Sequence, residues 1–384
     1  MSSPTPDAPT GRLRSLDGLR GIAALAVVFH HLFLAAPVLL NTIWPPPGSA
    51  VVGLLWRSAT FPVHLAVSAG LEAVFLFFVL SGLVLTLPAL RNARHYNWFV
   101  YYPQRLLRLY LPVVASVVLA VVLLLLVPRY ALAGKEAEWL SSTNSLAFSW
   151  NDVFATLNVF GLLHPLDNPL WSLGWEILFS ILLPLGVLIA VGVRRRPLLL
   201  AVLTVLVATA ATTVGAVLAI DALIYLPMFL VGVALAASIR QWGAVIEPLS
   251  TLAKVLLFVV SLLLIASPWI LSIVRVEFYQ YAEGVAVLGC ALLVLLAVYA
   301  GWVRRGLEWR PVQWLGRVSF SLYLVHVPVI VTIAYLVGPE RWQLFMPLGL
   351  AISLLVAWGF YLVAERSSHR FARFVGSRIA AARA

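Results

Sequence analysis

Residues 70–91 read GLEAVFLFFVLSGLVLTLPALR, with no charged side chain between Glu72 and Arg91. As a helix rising 1.5 Å per residue, such a run covers about 30 Å, the hydrocarbon thickness of a bilayer. Comparable runs lie on both sides of it. Together they fall at 22–42, 69–90, 110–128, 170–192, 197–216, 219–238, 254–274, 281–301, 315–337 and 344–364. The expected fold is therefore all-α, a polytopic transmembrane helix bundle of about ten spans. Composition agrees: 62% of the 384 residues are hydrophobic and 11% charged, with mean hydropathy +1.00. A soluble domain carries roughly 25% charged residues. Length alone, at about 150 residues per domain, would have suggested two or three soluble domains, and the apolar runs overrule it.

The net charge of +11 could point to nucleic acid, but its placement does not. With the N-terminus inside, 21 of the 26 Lys and Arg fall in cytoplasmic segments; only Arg57, Arg129, Lys135, Arg275 and Arg341 fall outside. That is the positive-inside pattern, so the basic charge reports topology and contact with anionic headgroups. Both termini are expected on the cytoplasmic side of a multi-pass protein in a cell (plasma) membrane. The Arg-rich, Lys-poor composition (only Lys135 and Lys254) fits a GC-rich bacterial source. Residues 1–13 form a polar, Pro-rich tail expected to be disordered, 14–370 the membrane domain, and 371–384 a basic cytoplasmic tail. No cleavable signal peptide is expected, because the first apolar segment is long and starts after some twenty polar residues. The longest stretches outside the spans, 43–68 and 129–169, are too short for a separate domain. The chemistry is thus expected inside the bundle. The single cysteine, Cys290, sits in an apolar run and offers no internal disulfide.

Polar groups in a bilayer are costly and mark function. In RSLDGLRGIAALAVVFHHLF, Arg20 and His31 stand 11 residues apart. That is about three helical turns, or roughly 16 Å, on one face. His30 is turned about 100° away. Arg20 taken alone is also what a topology anchor looks like. Ser81-Gly82 are small enough to let helices approach closely, which is equally a packing role. In NWFVYYPQRLLRLYLP, Arg105 and Arg108 share a helix face and suit phosphate, from lipid or from a cosubstrate. In DNPLWSLGWEILFSILLPL, Glu176 lies within a span and needs a cation, a histidine or a proton. In WLGRVSFSLYLVHVPVIV, Ser319, Tyr323 and His326 make one polar stripe, a reactive wall or a hydrogen-bonded helix seam.

Together these stretches resemble the integral membrane acyltransferase family 3. LDGLRGIAALAVVFHH is similar to its first-span signature, with Arg20 and His31 in place. FFVLSG matches the end of its second span, and YYPQRLLRLYLP the Arg-rich segment after it. WSLGWE resembles its WSLxxE with Glu176, and LGRVSFSLYLVHVPV its late span with His326. The resemblance runs in order from about residue 15 to 370. Two positions depart from the pattern: Ile177 stands where a second acidic residue is common, and Ser367 where a proline is.

The resemblance implies transfer of an acyl group, commonly acetyl, from cytoplasmic acyl-CoA to a hydroxyl of a sugar, glycolipid or glycosylated metabolite. No bound cofactor or metal is expected, only acyl-CoA as cosubstrate, and no nucleic acid. His31 would be the general base. Glu176 would orient or balance an imidazole, and His326 would bond the thioester oxygen or the acceptor. Arg20, Arg105 and Arg108 would meet the CoA phosphates, with Ser81 and Tyr323 assisting. No nucleophile elbow is visible, so direct transfer is expected over an acyl-enzyme. A secondary transporter or acyl-group translocator could use the same buried His and Glu, although no paired broken spans are apparent. A non-catalytic lipid-binding scaffold is the third reading.

Overall fold

The computed structural model describes residues 13–36, 69–92, 96–130, 138–192, 195–274 and 279–382. Among these there is no strand, and nine helices are long and apolar enough to cross a membrane. In chain order the helices are α1 (Arg14–Leu34), α2 (Gly70–Arg91), α3 (Trp98–Leu126), α4 (Glu138–Ser142), α5 (Trp150–Leu157) and α6 (Trp171–Gly192). They continue with α7 (Pro197–Leu218), α8 (Asp221–Ile246), α9 (Thr251–Ile265), α10 (Ser267–Val274) and α11 (Tyr279–Tyr299). Last come α12 (Gly301–Leu307), α13 (Arg310–Val337), α14 (Trp342–Phe360) and α15 (Arg366–Ala381). A 3₁₀ turn, Asn168–Leu170, leads into α6, and a π-helical turn, Tyr361–Glu365, joins α14 to α15.

The chain forms two compact units. The first comprises Met1–Ala23, Leu71–Tyr96 and Ile181–Arg317. Its hub is α11, buried along most of its length and packed on α7, α8, α9 and α10. Glycines let backbones touch there: a Cβ on Gly284 would strike Thr209 of α7, and one on Gly289 would strike Ser261 of α9. The second unit comprises Ala24–Gly70, Asn97–Ser180 and Val318–Ala384. Its core is α13, buried almost continuously from Val318 to Tyr335, polar stripe included. In the same unit α15 lies along the first half of α3, with the Ser368 hydroxyl donating to the Leu107 carbonyl at 2.9 Å.

Four expected segments change at their edges. The first span was expected at 22–42, but α1 runs Arg14–Leu34, with Asp17 in its first turn favouring the helix N-terminus. It stops before Pro37, which cannot donate a backbone hydrogen bond and disfavours a helical residue ahead of it. The Arg-rich segment and the third span are one helix, α3, containing Pro103 and Pro112. The seventh span is two helices, α9 and α10, broken at Ala266. The expected basic tail is helical through Ala381. The expected N-terminal tail lies, apart from Leu13, outside the described residues, as does the 43–68 stretch.

Candidate active site

In the second unit, α1 and α13 bring two histidines together. His326 Nδ1 lies 3.0 Å from the Leu322 carbonyl and 2.9 Å from that of Tyr323. A carbonyl only accepts, so this nitrogen carries the proton and Nε2 holds a lone pair. That lone pair faces His31 Nδ1 at 3.2 Å, and Nδ1 also lies 2.9 Å from the Val27 carbonyl. Both contacts require a donor, so His31 is protonated on Nδ1 and its Nε2 is the basic nitrogen. Among the described residues Nε2 of His31 makes no hydrogen bond. The Trp139 ring packs on this imidazole with centroids 5.5 Å apart, and the His326 ring stands edge-on to it at 4.9 Å. His326 is fully buried and His31 only half-buried, so the second ring is the scaffold and the first is presented. Because α1 ends at Leu34, His31 stands in its last turn rather than at mid-span.

Glu176, in the second turn of α6, takes the cation its position demands. Its Oε1 is 2.5 Å from Arg105 Nη2 of α3, and both side chains are 13% exposed. Arg105 Nε donates to Ser180 Oγ at 3.1 Å, one turn along α6. Arg105 was expected at CoA phosphates and Glu176 beside an imidazole; the structure places the two against each other. Arg108, one turn on, is exposed. Tyr323 is buried and its hydroxyl donates to the Pro169 carbonyl at 3.0 Å, with Ser172 Oγ at 2.7 Å. It therefore ties α13 to the start of α6, the seam reading of that stripe. Ser319 lies buried on the same helix.

Arg20 and Ser81 belong to the first unit. Arg20 is half-buried, and its Nε is enclosed without a hydrogen-bond partner among the described residues. Ser81 is buried beside Gly82, whose Cα faces the Phe229 carbonyl and Gly232 of α8, so this pair serves close packing of α2 on α8.

Three polar groups escaped the sequence reading. Asp167 is fully buried just ahead of α6, and burial pushes its carboxyl well above the usual carboxylate range. Ser116 Oγ, which also lies 2.9 Å from the Val113 carbonyl, donates to Asp167 Oδ2 at 3.1 Å, a bond that partly opposes the effect of burial. Glu365, in the π-helical turn, accepts from the Ser321 backbone N–H at 3.2 Å and from its hydroxyl at 2.5 Å. Trp139 lies on a five-residue helix whose ring contact no spacing could announce. Acidic residues in short polar segments carry no hydropathy signal; the only clue to Glu365 is an acid adjoining an apolar run. Among the described residues no cluster of His, Cys, Asp and Glu could hold a metal ion.

The sequence profile described as "Acyltransferase domain", acyltransferase family 3, matches residues 13–362. The chain belongs to this family. Among curated proteins it is 26% identical over 345 residues to "Putative peptidoglycan O-acetyltransferase YrhL" of Bacillus subtilis (strain 168), covering 82% of this chain and 48% of that protein. The chain thus spans about half the length of that relative. No solved structure matches. For a member of an acyltransferase family, a histidine with its basic nitrogen presented and its tautomer held is the group around which transfer can be argued.

Proposed function

We propose that this protein is an integral membrane O-acyltransferase that moves an acyl group, acetyl in the simplest case, from acyl-CoA to a hydroxyl of a sugar, glycolipid or glycosylated metabolite. The observation that carries this reading is the His31–His326 pair, which leaves Nε2 of His31 as a base. Nε2 takes the acceptor's proton as its oxygen attacks the thioester carbonyl. The C–O bond forms, the C–S bond breaks, and the imidazolium returns the proton to the departing thiolate. In this reading the Glu176–Arg105 pair fixes α3 against α6, and Arg20 and Arg108 offer guanidiniums to the donor's phosphates. Carbohydrate as acceptor is supported by the name of the Bacillus subtilis relative.

The test uses purified protein in detergent with acetyl-CoA and a panel of glycosides, read as thiol release and acetylated product. Wild type should turn over, and His31→Ala should lose about 10²- to 10⁴-fold in rate while eluting as a folded species. Full activity of His31→Ala, or no transfer from any acyl-CoA, would refute the reading.

A further inference from the structure

Trp139 presses a wide aromatic surface against His31, yet proton transfer at that imidazole does not need it. It belongs to α4, a helix of five residues in the stretch between α3 and α6. The stretch is tied down from several directions. Leu140, the next residue, is fully buried. The Thr143 hydroxyl and Asn144 Nδ2, the latter at 3.1 Å, both donate to the Trp139 carbonyl. Ser145 donates its N–H to the Pro165 carbonyl at 2.8 Å and its hydroxyl to Asp152 Oδ2 at 2.6 Å. Its carbonyl accepts from Arg129 Nη1 at 3.0 Å. The indole is thus mounted firmly but not closed off. It meets the His31 imidazole with centroids 5.5 Å apart and planes inclined at 50°, so the rings do not stack flat, and Trp139 stays half-buried. Among the described residues its Nε1 makes no hydrogen bond.

An indole beside a general base offers two things. Its face is flat, apolar and electron-rich, which suits the weakly positive C–H groups along one side of a sugar ring. Its N–H is a donor only, and pairs with a hydroxyl oxygen. An acyl chain would cover the face and leave the donor unmatched. The adenine of acyl-CoA also has a face to stack, but it lies at the far end of that molecule from the thioester, whereas Trp139 adjoins the imidazole where the thioester is attacked. An interfacial anchor, the common role of tryptophan at a membrane surface, would turn its ring to lipid rather than to an imidazole. The rigid mounting points the same way, because a platform already in place loses little freedom when its ligand arrives. We propose that Trp139 binds the acceptor, holding one face of a pyranose ring on its indole so that a ring hydroxyl reaches His31 Nε2, and so makes the site selective for carbohydrate over simple alcohols. This role rests on the O-acyltransferase reading and assigns the recognition of its acceptor to a named side chain.

The experiment measures steady-state transfer from acetyl-CoA by the full-length protein in detergent. The acceptors are the methyl glycosides of glucose, N-acetylglucosamine and rhamnose, with n-butanol as the simple alcohol. Trp139→Leu should raise KM for the best glycoside about tenfold and lower the preference for glycoside over butanol by a similar factor. KM for acetyl-CoA should change less than about twofold. Trp139→Phe, which keeps a ring but not the N–H, should fall between wild type and Trp139→Leu. A tryptophan that only props the imidazole gives a different pattern: kcat falls alike for glycoside and butanol, and their ratio is untouched. That pattern, or a KM for acetyl-CoA that rises together with that for glycoside, overturns the proposal. If Trp139→Leu elutes as aggregate, Trp139→Phe carries the same ratio test with a smaller effect. Absence of transfer by wild type to any of these alcohols overturns the O-acyltransferase reading, and the acceptor role with it. Transfer that is lost in His31→Ala but keeps its sugar preference in Trp139→Leu overturns the acceptor role alone.

Discussion

At the residue scale the site is a matter of which proton sits where. His326 matters through its tautomer: replacing it with Gln keeps an acceptor near His31, whereas Ala removes it and frees the His31 ring. His326→Ala should therefore cost more activity than His326→Gln, with KM for the acceptor less affected than kcat, measured by steady-state kinetics. The Arg105–Glu176 pair has a different signature. Removing one partner of a pair this buried strands the other charge, so Glu176→Ala should cost about 3–5 kcal/mol of stability. The apolar double variant Arg105→Met/Glu176→Leu should recover most of that in a thermal melt, because neither charge is then left unmatched. Asp167 supplies a pH test. Burial raises its carboxyl above the usual carboxylate range, so the folded chain holds that proton to a higher pH than the unfolded chain, which releases it above about pH 4. Its contribution to stability is therefore present below that pH and is lost as pH rises towards the raised folded value. Asp167→Asn keeps an acceptor for the Ser116 hydroxyl and cannot ionise, so above the raised folded value it should gain about 1.4 kcal/mol over wild type for each unit by which the pKa is raised. Melts at pH 4.5 and pH 8 check it: the gap between the two proteins should open at pH 8. Of these residues His31, Glu176 and His326 were legible, since a charge or imidazole in an apolar run stands out against its neighbours. Asp167 and Glu365 were not, because their burial comes from segments folding back in space rather than from sequence around them.

At the element scale the apolar runs marked helices but not their ends. Hydropathy is blind to a helix that continues into polar residues, and so it missed the first two turns of α1, the Arg-rich start of α3 and all of α15. Breaks are equally silent: nothing in KVLLFVVSLLLIASPWILSIV separates α9 from α10 except Ser267 and Pro268, which polar content alone does not flag. Helix contacts were legible where glycine made them. Gly82 of α2 and Gly232 of α8 face one another, and a Cβ on Gly232 would meet the Leu83 N at 2.6 Å as well as the Val79 carbonyl. Neither obstacle is a flexible side-chain end, so the helices would have to part. Gly82→Val and Gly232→Val should each cost about 1–3 kcal/mol or more, visible as a lower Tm and a smaller monodisperse fraction. Gly359→Ala in α14 is the control, since nothing lies within 4 Å of its added methyl, and it should be neutral or slightly stabilising.

At the scale of the whole molecule, one pair of short helices decides where the C-terminus lies. Among the described residues the nine long apolar helices make an odd number of crossings, which taken alone would put the two ends on opposite sides. The tenth crossing depends on α9 and α10, of 15 and 8 residues. Neither alone spans about 30 Å of hydrocarbon, but end to end they reach roughly 35 Å. Charge favours the crossing. With it, Lys and Arg divide 21 to 5 between the two sides; without it, everything after residue 274 changes side and the division falls to 14 to 12. The positive-inside bias would then vanish, although it acts through the short loops that dominate this chain. The expectation is therefore ten crossings and both ends cytoplasmic. Fusions to a reporter that fluoresces only in the cytoplasm and to a phosphatase active only outside test it. Truncations joined after Leu249 and after the C-terminus should fluoresce, and one joined at residue 276 should show phosphatase activity. If the fusions after Leu249 and at residue 276 report the same side, α9 and α10 do not cross. The arginines of α12 and α15 would then face outward, and the inner-leaflet placement of the basic helix ends would hold only for the part of the chain before α9.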